Sequence, residues 1–221
     1  MDRRNLLLSL AASPAAMVPF ALAAQAQAQE LGLITGNTCL VQPETTAGPF
    51  YIDPELLRRD ITEQRAGAAM QLRLQVVTDA CQPIPDARVD VWHCDADGLY
   101  SGVRSELGNT RGQTFMRGTQ MTDARGIATF DTIYPGWYPG RTPHIHYIVY
   151  LNQRTTLTSQ LFFPDQVSDQ IYGAHPAYSN GLADRRWTQD RIAQNAGAVA
   201  IAAVSGTTAQ LQADMVVGLK P

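Results

Sequence analysis

Two of the chain's four histidines, His144 and His146, lie one residue apart in the segment TPHIHYIVY. The surrounding residues are mostly β-branched or aromatic, which is typical of a strand. Side chains at positions i and i+2 of a strand point to the same face, so the two imidazoles project together. Such a pair can bind a single metal ion, and the alternative is a pair of packed histidines satisfied by hydrogen bonds.

The residues near this pair favour tyrosine oxygens over thiolates and carboxylates as further ligands. No Asp or Glu lies between residues 132 and 158, and the chain has no Cys-x-x-Cys motif. The tyrosines near the pair or upstream of it are Tyr100, Tyr134, Tyr138, Tyr147 and Tyr150. A phenolate is a hard anionic ligand suited to Fe(III), and a bound cation removes the phenol proton that free tyrosine keeps up to a pKa near ~10. These residues predict a ferric site, but they do not select two ligands among the 8 tyrosines.

Short apolar segments separated by turn residues must position these side chains. The predicted strands span residues 71–79, 87–95, 126–133, 144–152, 156–164, 198–204 and 210–219. The only predicted helices are short, at 53–59 and 183–195, and residues 101–119 are predicted as a polar loop. This spacing favours an all-β fold, a β-sandwich of mostly antiparallel strands with long loops and few short helices.

The length of the chain limits the number of domains, and its charge limits the classes of partner. A chain of 221 residues with 45% apolar residues is enough for one domain with a real core. The net charge of -3 carries no polybasic run, which argues against nucleic acid or an anionic membrane surface as a partner. The composition does not decide between a monomer and a homo-oligomer.

Residues 1–28 have the features of an export signal, and residues 29–221 form the expected domain. Arg3 and Arg4 precede an apolar run that ends in small-residue A-x-A sites. The paired arginines are similar to those of a twin-arginine signal, with an ordinary secretory signal as the alternative. Pro14 and Pro19 interrupt the run, which disfavours a membrane anchor. The mature protein is therefore expected in the periplasm or outside the cell, with no membrane contact after signal cleavage.

The three cysteines are Cys39, Cys81 and Cys94. In an oxidising compartment an odd count favours one disulfide and one leftover thiol. Cys94 lies inside the strand pattern VDVWHCD, whereas Cys81 lies in a turn. We therefore expect a Cys39–Cys81 disulfide with Cys94 as a buried free thiol, although the sequence alone allows three pairings.

The motifs GLYSG, YPGWYPGRTPHIHY and SQLFF, in that order, resemble those of the intradiol ring-cleavage dioxygenases. This family of non-haem Fe(III) enzymes includes catechol 1,2-dioxygenase and the protocatechuate 3,4-dioxygenase subunits, and the resemblance starts near residue 45. It implies four iron ligands, which are Tyr100 in DADGLY, Tyr138 in PGWYP, His144 and His146. Tyr138, rather than Tyr134, matches the family's second tyrosine. Tyr138 and His146 would be axial, and Tyr100 and His144 equatorial beside a hydroxide.

The resemblance also implies roles for residues that do not bind the metal. Arg141, three residues before the first histidine, matches the family's active-site arginine, and Gln160 in S-Q-x-x-F matches its glutamine. Tyr138 would leave the iron and act as a base. His93, next to a turn, is expected to be structural, and His175 is expected in a loop.

The function implied by the resemblance is oxidative ring cleavage. Both atoms of O₂ would enter a small catechol-type diol, and the ring would open between the two hydroxylated carbons to a cis,cis-muconate-type diacid. Gly140 stands where the protocatechuate enzymes carry an aromatic residue, so which catechol is the substrate stays open. The alternative is a non-catalytic exported β-sandwich that binds a metal or a partner.

Overall fold

The computed structural model describes residues 32–35, 39–53 and 55–220 of the chain. In this part of the chain the strands form two four-stranded sheets and a short hairpin. The predicted export signal, residues 1–28, lies outside these described residues. The strands are β1 Ala69–Thr78, β2 Arg88–Trp92, β3 Arg104–Ser105, β4 Gly108–Asn109, β5 Arg117–Met121, β6 Ile127–Ile133, β7 His144–Leu151, β8 Arg154–Phe162, β9 Ala203–Thr207 and β10 Gln210–Leu219. The α-helices are α1 Asp165–Ala174 and α2 Arg191–Ala196.

The strand order shows a mostly antiparallel arrangement. One sheet has the order β6-β1-β10-β9 and the other has the order β5-β2-β7-β8. Within these sheets β1 and β10 pair in parallel, and the other pairs are antiparallel. The predicted all-β sandwich is therefore confirmed.

The main core takes alternate residues from both sheets. Leu72 and Leu74 of β1 and Ile145, Tyr147 and Val149 of β7 are fully buried members of one cluster. Burial of each aliphatic side chain of this kind contributes roughly 1.5–3 kcal/mol. Because strand residues alternate between faces, the even-numbered positions of β7 project away from this core, toward the loops that cover the outer face of the second sheet.

The predicted helix at 53–59 is wrong, because none of its described residues is helical. The segment instead lies along the edge of β5, where Leu57 forms a bridge with Thr119 and the Arg58 amide donates to the Thr119 carbonyl at 3.1 Å. An edge strand offers unpaired backbone groups, and pairing with them outweighs the weak helix propensity of this segment.

Other boundaries also differ from the prediction. Residues 198–200 form a 3-10 turn, so the strand predicted at 198–204 begins only at Ala203. The loop predicted at 101–119 contains the β3–β4 hairpin and the start of β5. The predicted helix at 183–195 is reduced to a 3-10 turn, Trp187–Gln189, and then α2. Helix α1 was not predicted, although it buries Ile171 and Tyr172.

The cysteine prediction is confirmed. Cys39 and Cys81 form a disulfide with a Cα–Cα distance of 5.2 Å, and Cys94 is a buried free thiol. In the part of the chain that the structure describes, no helix has the length and apolar character needed to cross a membrane.

Candidate active site

Three neighbouring strands fix His146. Across the sheet, Trp92 of β2 and Gln160 of β8 are its partners in register on either side. The Trp92 indole stacks on the imidazole with 4.9 Å between the ring centroids and 9° between the planes. The ring of His146 is therefore held flat by a large, fully buried neighbour.

The two loops that carry Tyr100 and Tyr138 are joined by their backbones. Gly98, in the turn before Tyr100, has φ +85°, and a Cβ there would lie 2.4 Å from the Trp137 carbonyl oxygen. Gly136, in the other loop, would place a Cβ 2.5 Å from the Asp95 carbonyl oxygen, which accepts a hydrogen bond from the Gly136 amide at 3.0 Å. Glycine is required at both positions because a side chain cannot fit between the two backbones.

The two phenol oxygens converge on one imidazole nitrogen. His144 Nε2 lies 3.3 Å from Tyr100 Oη and 3.1 Å from Tyr138 Oη. The ring centroids of His144 and His146 are 4.8 Å apart. His144 Nδ1 lies 2.7 Å from the Thr142 carbonyl oxygen, to which it can only donate. The lone pair of Nε2 is therefore directed at the phenols, as in a histidine prepared to bind a metal.

Burial sets the charge states of these groups. Burial, with the Arg141 charge next in size, lowers the pKa of His144 to about 3. Burial and the neighbouring His144 lower the pKa of His146 well below its ordinary value. Burial raises the pKa of Tyr138, and that of Tyr100 further still. Two neutral imidazoles and two protonated phenols therefore meet here, and a bound cation would reverse the balance for the phenols.

This donor set fits a hard trivalent ion. Neutral imidazole nitrogens are common ligands of iron, and phenol oxygens become hard anionic ligands when a cation displaces their protons. Among the described residues no group of three or more His, Cys, Asp or Glu side chains could hold a metal. The tyrosine and histidine set is the candidate metal site in this part of the chain.

Arg141 and Gln160, both predicted as site residues, lie beside this group. Arg141 Nη1 is 3.5 Å from Tyr138 Oη and 3.4 Å from His144 Nε2. Arg141 Nη2 donates to Gln160 Oε1 at 2.6 Å, and its Nε donates to Asp190 Oδ2 at 2.7 Å. The structure thus brings all six predicted site residues together.

Asp190 belongs to the site but was not identified from the sequence. Its side chain is buried, accepts from the Thr142 amide at 3.1 Å and caps α2 through the amides of Ile192 and Ala193. Burial opposes its ionisation, but the hydrogen bond and charge of Arg141 outweigh this and lower the pKa of Asp190. An Asp before a short helix is a capping signal that the sequence shows. Its pairing with an arginine 49 residues away cannot be recognised from the sequence.

An open cleft of about 260 Å³ gives access to the phenols. Tyr100 and Tyr138 line it together with the apolar side chains of Phe50, Leu107 and Pro139. A planar aromatic molecule can therefore reach the group of phenols and imidazoles from this side.

The structure places four other histidines and tyrosines outside the group of phenols and imidazoles. His93 is fully buried, with Nδ1 2.7 Å from the Cys94 carbonyl and Nε2 2.8 Å from Thr132 Oγ1, so it is structural as predicted. His175 lies just after α1. Tyr134 and Tyr147 lie in the main core. Of the tyrosines that the sequence pattern left open, Tyr134 and Tyr147 are thus excluded by their position in the core.

Known proteins are similar to this chain in sequence and in fold. A family model described as "Dioxygenase" matches residues 45–200, more than half of the chain. The chain is 30% identical to a hydroxyquinol 1,2-dioxygenase of Corynebacterium glutamicum, with 58% of this chain and 50% of the relative covered. It is also 30% identical to a catechol 1,2-dioxygenase of a Pseudomonas strain, with 58% and 47% covered. The chain spans about half the length of these two relatives.

A solved structure described as an intradiol ring-cleavage dioxygenase from Tetranychus urticae matches more of the chain. Its TM-score is 0.75 and its identity is 32%, and the match covers 83% of this chain and 96% of that one. The chain therefore belongs to the intradiol ring-cleavage dioxygenase family.

Proposed function

We propose that this protein is a non-haem Fe(III) intradiol dioxygenase. It inserts both atoms of O₂ into a catechol-type aromatic diol and cleaves the ring between the hydroxylated carbons, giving a cis,cis-muconate-type diacid. Every atom of the diol and of O₂ is retained in this product. The observation that carries the proposal is the convergence of Tyr100 and Tyr138 on His144 Nε2 at an open cleft.

Four side chains would hold the iron, namely Tyr100, Tyr138, His144 and His146. When bound, ferric iron supplies the positive charge that ionises the diol and makes its ring reactive toward O₂. The chain contributes the fixed positions. Hydrogen bonding of His144 to Thr142 sets its tautomer, and stacking on Trp92 sets the plane of His146.

Tyr138 and Arg141 would act on the substrate. Tyr138 lines the cleft, and its side chain is less buried than that of Tyr100. We assign it as the base that accepts one diol proton at Oη. Arg141, held by Gln160 and Asp190, keeps Nη1 beside this oxygen and stabilises negative charge that develops on the ring.

We also propose that the mature domain, residues 29–221, works outside the cytoplasm. The signal-like composition of residues 1–28 supports this location. The Cys39–Cys81 disulfide supports it as well, because such bonds persist mainly in oxidising compartments.

Aerobic turnover with isotopically labelled O₂ tests the activity. The purified protein should be burgundy to brown from phenolate-to-Fe(III) charge transfer, and catechol should yield a muconate-type diacid that carries both labelled atoms. His144→Ala, which removes a predicted ligand, is the matched control and should be pale and inactive. A coloured iron protein that leaves catechol unchanged would favour the non-catalytic metal-binding module instead.

A further inference from the structure

The cleft above the two phenols has an uneven distribution of charge. Among the described residues that line it, Glu106 alone is charged, and the neighbouring Ser105 is polar and uncharged. Glu106 is exposed in the turn of the β3–β4 hairpin. Leu107, next to it, is 49% exposed and adds an apolar surface to the same wall of the cleft.

Among the described residues that line the cleft, no cation accompanies this carboxylate. Arg141 lies beside Tyr138, but its guanidinium is paired with the buried carboxylate of Asp190. Arg104 of the same hairpin is exposed and does not line the cleft. A substrate that enters over Leu107 therefore meets a net negative charge at the cleft wall, above a floor of two aromatic rings.

We propose that Glu106 selects the substrates of this site. The site takes aromatic 1,2-diols whose ring carries no anionic group, and it disfavours diols that carry a ring carboxylate. The diol oxygens approach Tyr100 and Tyr138, while Phe50 and Leu107 pack against the ring. A ring substituent directed at the hairpin then lies near Glu106, where a second carboxylate is repelled and a hydroxyl or ammonium group can donate a hydrogen bond. This inference rests on the proposed function, because it assigns the substrate class of the same cleft.

A matched pair of diols isolates the charge. The 3,4-dihydroxybenzoate anion and 3,4-dihydroxybenzamide have nearly the same shape, and they differ in the charge of one substituent. Their dissociation constants can be measured without O₂ on the iron-loaded protein, from the change in its visible spectrum. In the wild-type protein the acid should bind about five- to tenfold more weakly than the amide, as expected for like charges in a partly exposed setting. The difference should shrink as salt is raised from low ionic strength, since the screening length falls to about 10 Å at 0.1 M.

Glu106→Gln should reduce the ratio between acid and amide to within about twofold, mainly because the acid then binds more tightly. Glu44→Gln is the control, because it neutralises the same functional group at an exposed position that lines a different cleft. Equal binding of acid and amide to the wild-type protein would overturn the proposal, and so would an unchanged ratio in Glu106→Gln. Binding with the predicted ratio but without ring cleavage would support the selection and refute the proposed activity. If no diol binds, both are refuted.

Discussion

Arg141 and Asp190 form an ion pair in which Nε and Oδ2 are 2.7 Å apart, although 49 residues separate them in the chain. The carboxylate side chain is only 2% exposed. The pair ties the loop before β7 to the start of α2. It leaves the other two guanidinium nitrogens of Arg141 directed at Tyr138 and Gln160.

Asp190→Asn should lower kcat by roughly 10- to 100-fold with little change in KM or iron content. Asparagine can still cap α2, but it no longer holds the guanidinium through a charged contact. Steady-state kinetics and metal analysis check this split, and Asp190→Glu should recover part of the activity. Asp169→Asn, which breaks the more exposed pair with Arg186, is the control and should be neutral. Unchanged kcat in Asp190→Asn would show that the pair only stabilises the fold.

Arg141→Ala should reduce turnover by ~10² to 10³, the usual cost of removing one preorganised electrostatic donor. Iron content should stay full, because arginine is always protonated and does not bind a cation. Lysine should substitute poorly, since it lacks the planar fork that reaches both Asp190 and Gln160. Single-turnover decay of the enzyme–diol colour is the measurement. Decay at the wild-type rate would contradict the electrostatic role.

Tyr138→Phe and His144→Ala should lower the iron content and alter the visible band, because each removes a proposed ligand atom. Tyr134→Phe is the control, since its hydroxyl pairs with Ser168 at 2.7 Å inside the core. Metal analysis and absorption spectra of the three variants distinguish the two ligand positions from Tyr134, whose variant should keep its iron and its visible band. Full iron with unchanged spectra in both ligand variants would refute the assignment.

Cys39→Ser should lower the free energy of unfolding by roughly 4 kcal/mol in the chain-entropy model, because the disulfide closes a loop of 42 residues. Denaturant unfolding compares the variant with the wild type. Burial raises the pKa of Cys94, so this thiol should not react with a thiol reagent in the native protein. Cys94→Ser is the control for the loss of a cysteine outside the disulfide. Native labelling of Cys94 would contradict its buried position.

The metal-free protein should lose stability as the pH falls below about 6.5, partly through His93. Burial lowers the pKa of His93 from 6.5 to about 4, so between these values the unfolded chain binds a proton that the folded chain does not. The stabilising contribution of this residue is therefore present above pH 6.5 and lost as the pH falls toward 4. The loss of unfolding free energy that His93 alone causes between pH 7 and pH 5 should be about 2 kcal/mol.

Urea unfolding of wild type and His93→Gln at pH 7 and pH 5 tests this contribution. The variant is expected to be less stable at pH 7 but to lose less between the two values. His175→Gln, at a partly exposed position after α1, is the control for the exchange of a histidine outside the core. The same pH dependence in His93→Gln as in the wild type would show that His93 does not titrate in this way.

Periodicity in the sequence predicted the strands that carry the site, because alternation reports which face of a strand is buried. The positions of His144 and His146 on one face followed from this period alone. The pairing of Tyr100 with Tyr138 did not, since both lie in loops and only the resemblance to a known family selected them. Asp190 and Trp92 act through contacts between distant segments, which no local pattern records.

The errors in secondary structure have a related cause. The segment at 53–59 has helical propensity, but the free edge of β5 competes for its backbone hydrogen bonds. Helix α1 carried a readable signal, with Asp165 in its first turn and Val167 and Ile171 four residues apart. That signal follows directly on the apolar end of β8, so the strand pattern of residues 156–164 runs into it.

The backbone contact at Gly98 and Gly136 separates the geometry of the phenols from the shape and charge of the cleft wall. The spacing of the two phenols is fixed where main chain meets main chain, so exchange of nearby side chains leaves it unchanged. Glu106 and Leu107 lie on a separate hairpin that takes no part in this contact. Descendants of such a protein can therefore acquire new substrates through substitutions in the hairpin, while the chemistry inherited from their ancestor is preserved.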